Sequence, residues 1–219
     1  MRIYIKLTKT DEVIPYNYQS FLTGAIHKWI GEENQEHGKI SLYSFSWLQN
    51  VETDKKGIKT KDGSFFFIST YHDDLIKKLI QGIRKNPNVC FGIKVSDIMI
   101  KETPEFTSPC RFEAASPIFV RRLIDGKDHH ISYDDKMASE YLTETIQRKL
   151  SIAGLPSEGI KIRFDNSYPS PRTKIIKYKD ISNRVNICPI IVEGSPEQLA
   201  FIHDVGAGNS TGVGFGALK

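Results

Sequence analysis

The residues with the clearest chemical potential stand at the end of the chain, where positions 206–219 read GAGNSTGVGFGALK and hold five glycines. A residue without Cβ tolerates positive φ and lets another backbone come close. Gly206, Gly208, Gly212, Gly214 and Gly216, with Asn209 and Ser210 between them, therefore predict a loop of exposed N–H groups suited to a phosphate or an RNA backbone. The period-two spacing of 212, 214 and 216 places those three on one side of an extended segment. A P-loop or dinucleotide site is disfavoured, because no helix-forming sequence follows to serve as the anion platform. A glycine-rich edge strand that ends the fold is the competing reading.

Proton-transfer chemistry rests on the six histidines, since imidazole exchanges protons in either direction near neutral pH. His27 falls with Ser20 and Thr23 on a polar helical stripe, opposite Phe21, Leu22, Ala25 and Trp29. His37 stands in the polar, glycine-containing stretch Gln35-Glu36-His37-Gly38-Lys39, where packing does not explain an imidazole. The others have plainer readings: His129 and His130 in a charged exposed turn, His72 at a helix start, and His203 stabilising a helix C-terminus. No His, Cys and acid cluster has zinc spacing, so no metal and no cofactor is expected. The three cysteines, Cys90, Cys110 and Cys188, are far apart and odd in number, which argues for small core residues over a disulfide framework.

A third feature is basic. Arg172, Lys174, Lys177, Lys179 and Arg184 are opposed only by Asp180 and are accompanied by Tyr168 and Tyr178. On extended chain such residues suit an RNA backbone, and Arg121, Arg122, Lys161 and Arg163 extend the surface toward a groove. A sheet edge guarded by lysine is the alternative.

The elements that must position these groups follow from hydrophobic period. A chain of 219 residues with net charge +4 and pI near 8.8 fits two small units with a mild basic bias. Residues 2–7 alternate as a strand, and Tyr18, Leu22, Ala25, Ile26 and Trp29 recur at helical spacing. Strands at 42–45 and 64–69, a helix at 73–84 and a strand at 89–100 complete a β-α-β-β-α-β order, which is ferredoxin-like. Residues 103–109, with Pro104 and Pro109, are the linker between units 1–108 and 109–219. Beyond it come strands at 118–123 and 129–133, a helix at 134–152, extended segments at 159–164, 173–178 and 184–192, and a helix at 196–203 opened by proline. The first residues lack the long apolar run of a signal peptide, and no stretch approaches about 18 apolar residues, so a cytoplasmic location without membrane contact is expected.

In this order the chain resembles the CRISPR-associated endoribonucleases of the RAMP superfamily, which cleave precursor CRISPR RNA within each repeat. The resemblance runs over nearly the whole length. It rests on Pro15-Tyr16-Asn17-Tyr18 before the first helix, the His-containing connection to Leu42-Tyr43-Ser44-Phe45-Ser46, and the terminal glycine-rich segment. It implies an α+β fold of tandem ferredoxin-like (RRM-like) domains with antiparallel sheets. It also implies metal-independent cleavage that leaves 2′,3′-cyclic phosphate and 5′-hydroxyl ends. His37 matches the loop position where the family commonly places a catalytic histidine, His27 a helical position that carries tyrosine in some members, and Lys39 lies near an active-site lysine. The partner so implied is the precursor CRISPR RNA repeat, with subunits of a CRISPR interference complex beyond it, and the chain acting as monomer or homodimer.

Cleavage of this kind needs the 2′-hydroxyl deprotonated, the phosphate stabilised and the leaving 5′-oxygen protonated. Two histidines and a lysine can cover these three tasks. Two other readings keep the fold and drop the chemistry: a repeat-RNA-binding module that has lost cleavage, and a structural subunit of a ribonucleoprotein.

Overall fold

The computed structural model describes residues 1–31 and 40–219. The first unit begins with β1 (Arg2–Leu7), α1 (Gln19–Ile30), β2 (Tyr43–Phe45) and β3 (Gln49–Thr53), and continues with β4 (Ile58–Thr70), α2 (Asp73–Lys85) and β5 (Val95–Lys101). Alternation in β1 sends Ile3, Ile5 and Leu7 into the core, where they meet Leu22, Ile26 and Trp29 of α1 and Ile76, Leu79 and Ile83 of α2. The sheet is antiparallel with the order β2-β4-β1-β5, and β3 pairs with the first half of long β4. The strand expected over 89–100 is shorter, because the chain reverses at Phe91 and Gly92, both at positive φ.

The second unit comprises β6 (Cys110–Phe112), the hairpin β7 (Arg121–Ile124) and β8 (Lys127–His130), α3 (Ala138–Ile152) and β9 (Lys161–Phe164). The hairpin β10 (Arg172–Tyr178) and β11 (Ile181–Ile187), then β12 (Ile190–Glu193) and α4 (Pro196–Val205), complete it. Its sheet runs β6-β12-β9, antiparallel. The chain end lies along the other side of β6, with Glu113 and Lys219 exchanging backbone bonds of 2.9 and 2.8 Å. Both halves therefore carry the ferredoxin-like strand order, and the protein is a tandem of two such α+β units. The stretch read as one strand over 184–192 splits at Cys188-Pro189, where the chain passes from pairing with β10 to pairing with β6 and β9. Helix α4 opens with a capping box in which Ser195 and Gln198 exchange bonds and Pro196 takes the first turn. No helix among the described residues is long and apolar enough to cross a membrane.

The two units meet along a seam that contains ionised groups out of water. Arg2 is 4% exposed; its guanidinium donates to Ser69 Oγ at 2.6 Å and to the Leu218 carbonyl at 2.7 Å, and covers the Phe67 ring. Asp204 on α4 accepts from the Met1 ammonium at 2.6 Å, from Thr103 Oγ1 at 2.6 Å and from His203 Nδ1 at 3.0 Å. Burial alone would raise the Asp204 carboxyl, but the bonds from His203, Met1 and Thr103 outweigh it and hold the group below its ordinary value. His203, read from sequence as a plain helix-end residue, is buried and belongs to this cluster.

The glycine-rich end fills the rest of the seam, and here the structure corrects the sequence reading. Residues 212–216 are not an extended strand, because Thr211–Val213 is a turn of 3-10 helix, and only the last residues join the sheet edge. The glycines are buried against protein. A Cβ at Gly206 would stand 2.6 Å from the Gly216 carbonyl, and one at Gly208, Gly212 or Gly216 would collide with the Phe119 carbonyl, Ser41 Oγ or the Ala207 carbonyl. At Gly214, with φ +95°, a Cβ would lie 3.0 Å from the Phe45 ring. These positions are glycine because chain packs on chain, so the backbone of 212–216 is not the exposed phosphate cradle that its composition suggests.

Two outcomes follow from the seam. Asp204→Asn should cost about 3 kcal/mol at neutral pH, the scale of breaking a buried ionic cluster. Because the native carboxyl is held low, its stabilisation is present above the unfolded value and disappears as pH falls through the lower native value. The gap between variant and wild type in denaturant unfolding should therefore close below about pH 4. Gly214→Val should cost about 1–3 kcal/mol from the positive φ alone, with the Phe45 contact added. A Gly214→Val protein that melts like wild type would contradict the packing described.

Candidate cleavage site and nucleic-acid interface

The polar stripe of α1 faces the second unit. Thr23 is buried and its Oγ1 donates to the Gln19 carbonyl at 2.8 Å, with the Val213 carbonyl at 3.5 Å. One turn later His27 is half-buried, its Nε2 3.2 Å from the Tyr43 hydroxyl. Tyr43 in turn donates to the Gly212 carbonyl at 3.1 Å, and Trp47 Nε1 donates to the Gly214 carbonyl at 2.8 Å. Side chains of α1, β2 and the segment after β2 thus hold the glycine turn, and the turn holds the ring of His27 in place. Phe21, assigned by spacing to the apolar face, is 51% exposed and packs edge-on against Phe91. His37 and Lys39 lie outside the described residues.

Beside this contact opens a polar cavity of about 500 Å³, lined from the first unit by Ile40 and Ser41 and from the second by Arg121, Arg122, Glu144, Arg148, Lys149 and residues 208–211. Four cations against one carboxylate make it a site for an anion. Their roles differ. Arg122 donates to the Tyr141 carbonyl at 2.6 Å, to Glu144 at 3.0 Å and to Thr145 at 3.2 Å, and stacks on Tyr141, so its fork is committed to the protein. Arg121 is exposed and has Asp128 at 3.8 Å. Its backbone N–H donates to Asn209 Oδ1 at 2.8 Å, which ties the turn to β7. Ser210 is exposed on the rim, and with Asn209 it is the part of the glycine-rich segment that reaches the cavity without being packed away.

Lys149 was missed from sequence. It sits on the apolar stripe of α3 with Leu142, Ile146 and Leu150, and it is 3% exposed. Burial pulls its ammonium down to about 7, while three oxygen acceptors and the negative end of α4 work in the opposite sense. A lysine on an otherwise apolar stripe is the signal that could have found it.

The remaining basic residues do not form one surface. Arg172 and Lys174 share a face of β10 with buried Ile176, and Lys174 Nζ stands 5.9 Å over the Trp47 ring, whereas Lys177 points to the opposite face. The hairpin end carries half-buried Tyr178. Lys161 and Arg163 on β9 line a second groove with Ser139, Glu140 and Thr143, which shares only Glu144 with the first. Among the described residues no three His, Cys, Asp or Glu side chains converge as metal ligands, and the three cysteines are free thiols.

This geometry agrees with the similarities of the chain. The C-terminal model of CRISPR-associated protein Cas6 matches residues 101–219, and the N-terminal Cas6 model matches residues 13–103. The chain is 25% identical over 235 residues to the CRISPR-associated endoribonuclease Cas6 1 of Methanocaldococcus jannaschii, covering 100% of itself and 92% of that protein. It is 26% identical to an endoribonuclease-like Cas6 protein of Pyrococcus furiosus, covering 100% of itself and 98% of that protein. A solved structure described as a RAMP protein binding different RNA substrates superposes with a TM-score of 0.85 at 22% identity, covering 100% of this chain and 98% of the other. With one family model spanning more than half of its length and a second spanning most of the remainder, the chain belongs to the Cas6 family of CRISPR-associated proteins.

Proposed function

We propose that this protein is a metal-independent endoribonuclease that cleaves precursor CRISPR RNA within its repeat. The observation that carries the reading is the contact of His27 with Tyr43, whose hydroxyl bonds the Gly212 carbonyl, next in the chain to Thr211 in the lining of a cavity bearing Arg121, Arg148 and Lys149. An imidazole beside an anion pocket is what phosphodiester transesterification needs. The 2′-oxygen loses its proton to a base and bonds to phosphorus, the bond from phosphorus to the 5′-oxygen breaks, and that oxygen takes a proton from an acid. Products are a 2′,3′-cyclic phosphate and a 5′-hydroxyl. His27 and His37 share the base and acid roles, Lys39 and the pocket cations meet the charge that builds on the phosphate, and the rim residues Asn209 and Ser210 contact the backbone beside it. Arg172, Lys174 and Lys177 extend electrostatic attraction along the hairpin, and Lys161 with Arg163 provides a second, more distant anchor. The M. jannaschii relative, named an endoribonuclease, supports the activity, and the RAMP protein described as binding different RNA substrates supports an RNA ligand.

Cleavage of cognate repeat RNA should persist in EDTA and leave cyclic phosphate ends. A strict divalent-metal requirement, or products with 5′-phosphate and 3′-hydroxyl ends, would overturn the mechanism, and tight binding without any cleavage would favour a repeat-binding protein. In single-turnover assays at saturating protein, His37→Ala should lose about 10²–10⁴-fold in rate while binding RNA nearly as well. His27→Ala should also slow the step. A wild-type rate for His37→Ala would remove that residue from the mechanism.

A further inference from the structure

Strand β5 is the last in the order β2-β4-β1-β5, and among the described residues no strand pairs with its outer edge. The start of that edge is covered, because the Val95 N–H donates to the Pro87 carbonyl at 2.9 Å. From Ser96 onward it is open. Edges of this kind are ordinarily guarded by like charges, proline or a covering segment, since a row of unpaired N–H and C=O groups is a template for another strand. On β5 the charges are of both signs and flank an apolar centre, with Asp97 and Lys101 on either side of Ile98, Met99 and Ile100.

The two faces of the strand differ. Ile98 and Ile100 face α2 and line an apolar groove with its Ile80, Ile83 and Arg84, and Ile100 is 51% exposed. Met99, 41% exposed, lies on the other face between Asp97, which Lys6 approaches at 2.9 Å, and Lys101, whose Nζ stands 5.2 Å over the Tyr4 ring. A second copy of the strand running antiparallel about a two-fold axis joins the ladder only when residues that direct their N–H and C=O outward oppose each other, which places the axis on a residue. With the axis on Ile98, Asp97 meets Met99 and Ser96 meets Ile100. An axis on Ile100 sets Ile98 against Glu102. Only the axis on Met99 brings Asp97 opposite Lys101, twice by symmetry, and Ile98 opposite Ile100, so that four isoleucines form one floor between the two α2 helices.

We propose that the outer edge of β5 is the surface through which two copies of this chain associate, by antiparallel β5–β5 pairing centred on Met99 with Asp97 of each copy opposite Lys101 of the other. The pairing joins the two first-unit sheets into one continuous sheet and covers the groove beside α2. Opposite charges across a strand pair and apolar pairs beside them each add to sheet stability, whereas like charges directly opposite oppose it. The charge pattern of β5 therefore selects this register over its neighbours. Association through this edge is independent of the endoribonuclease reading.

The test is sedimentation equilibrium on the full chain without RNA, over the micromolar range, combined with a cross-link. Wild type should show a reversible dimer. Lys101→Asp places two carboxylates opposite each other at both symmetric positions and should weaken the dimer about 10-fold. Adding Asp97→Lys to that variant restores opposite charges and should recover most of the loss. Lys101 is exposed and has no ionic partner in its own chain among the described residues, so both proteins should melt close to wild type. Met99→Cys should form a disulfide-linked dimer under mild oxidation, because opposed residues of an antiparallel pair lie about 4.5–5.5 Å apart at Cα, within disulfide reach. Wild type treated alike should not. A protein that stays monomeric throughout the range would overturn the proposal. So would a dimer that Lys101→Asp leaves unchanged, a double variant no tighter than the single, or a Met99→Cys protein that does not cross-link, since each places the contact elsewhere or in another register.

Discussion

The seam between the two ferredoxin-like units leaves no room for side chains at the glycine turn, and the candidate site depends on that constraint. Ser41 and Phe45 of the first unit come so close that a Cβ at Gly212 or Gly214 would strike them, and within the second unit the carbonyls of 216 and 207 leave no room for one at Gly206 or Gly216. Only then can the turn offer its carbonyls to Tyr43, Trp47 and Thr23 of the first unit. His27 belongs to the first unit by sequence, while the group that orients it, through Tyr43, belongs to the second. A loosened seam would leave both units folded and the imidazole without its frame.

Charge is placed to serve the same junction. Arg2 and Asp204 are each at most 5% exposed and bond across the junction, Arg2 to the Leu218 carbonyl and Asp204 to the Met1 ammonium, while Lys149, equally buried, bonds within the second unit to the end of α4 and to Thr211. Buried ions of this kind add little net stability compared with apolar replacements, but they penalise any arrangement in which their partners are absent. Apolar packing holds each unit together, and these ionic and hydrogen-bonded contacts select one relative position of the two. The cations left on the cavity side, Arg121 and Arg148, are those whose charge is available to a ligand.

Local period made much of the fold legible. Alternation in residues 2–7 and the Ile76, Leu79 and Ile83 stripe lead to the observed β1 and α2, and the β-α-β-β-α-β order of the first half is present with one unexpected strand, β3, added to its sheet. The second half was harder to read, since two hairpins interrupt the repeat and Cys188-Pro189 carries the chain between sheets where hydrophobicity alone shows a continuous run. The glycine spacing was legible as a close approach of backbone, but sequence cannot say whether the approaching chain is RNA or protein, and here it is protein. His27 was found from its polar stripe, although that stripe turned out to be an interface. Lys149, Tyr43 and Arg148 were missed because their roles depend on contacts across more than 60 residues or on a cavity formed from both units. The basic run at 172–184 was visible as composition, while the pleat of β10, which divides its charges between two faces, follows from pairing with β11.

Cleavage involving His27 requires the scissile phosphate to lie at the seam, between His27 and the cationic cavity. A crystal structure of the protein with repeat RNA carrying a 2′-deoxy nucleotide at the cleavage position would test it most directly, because removal of the nucleophile leaves the uncleaved backbone in place. The scissile phosphate should lie within about 3 Å of hydrogen-bonding groups at the cavity mouth, with His27 on one side and Arg121 or Arg148 on the other. A scissile phosphate bound in the groove of Lys161 and Arg163, or on any surface from which the His27 ring cannot reach it, would rule His27 out of the cleavage step.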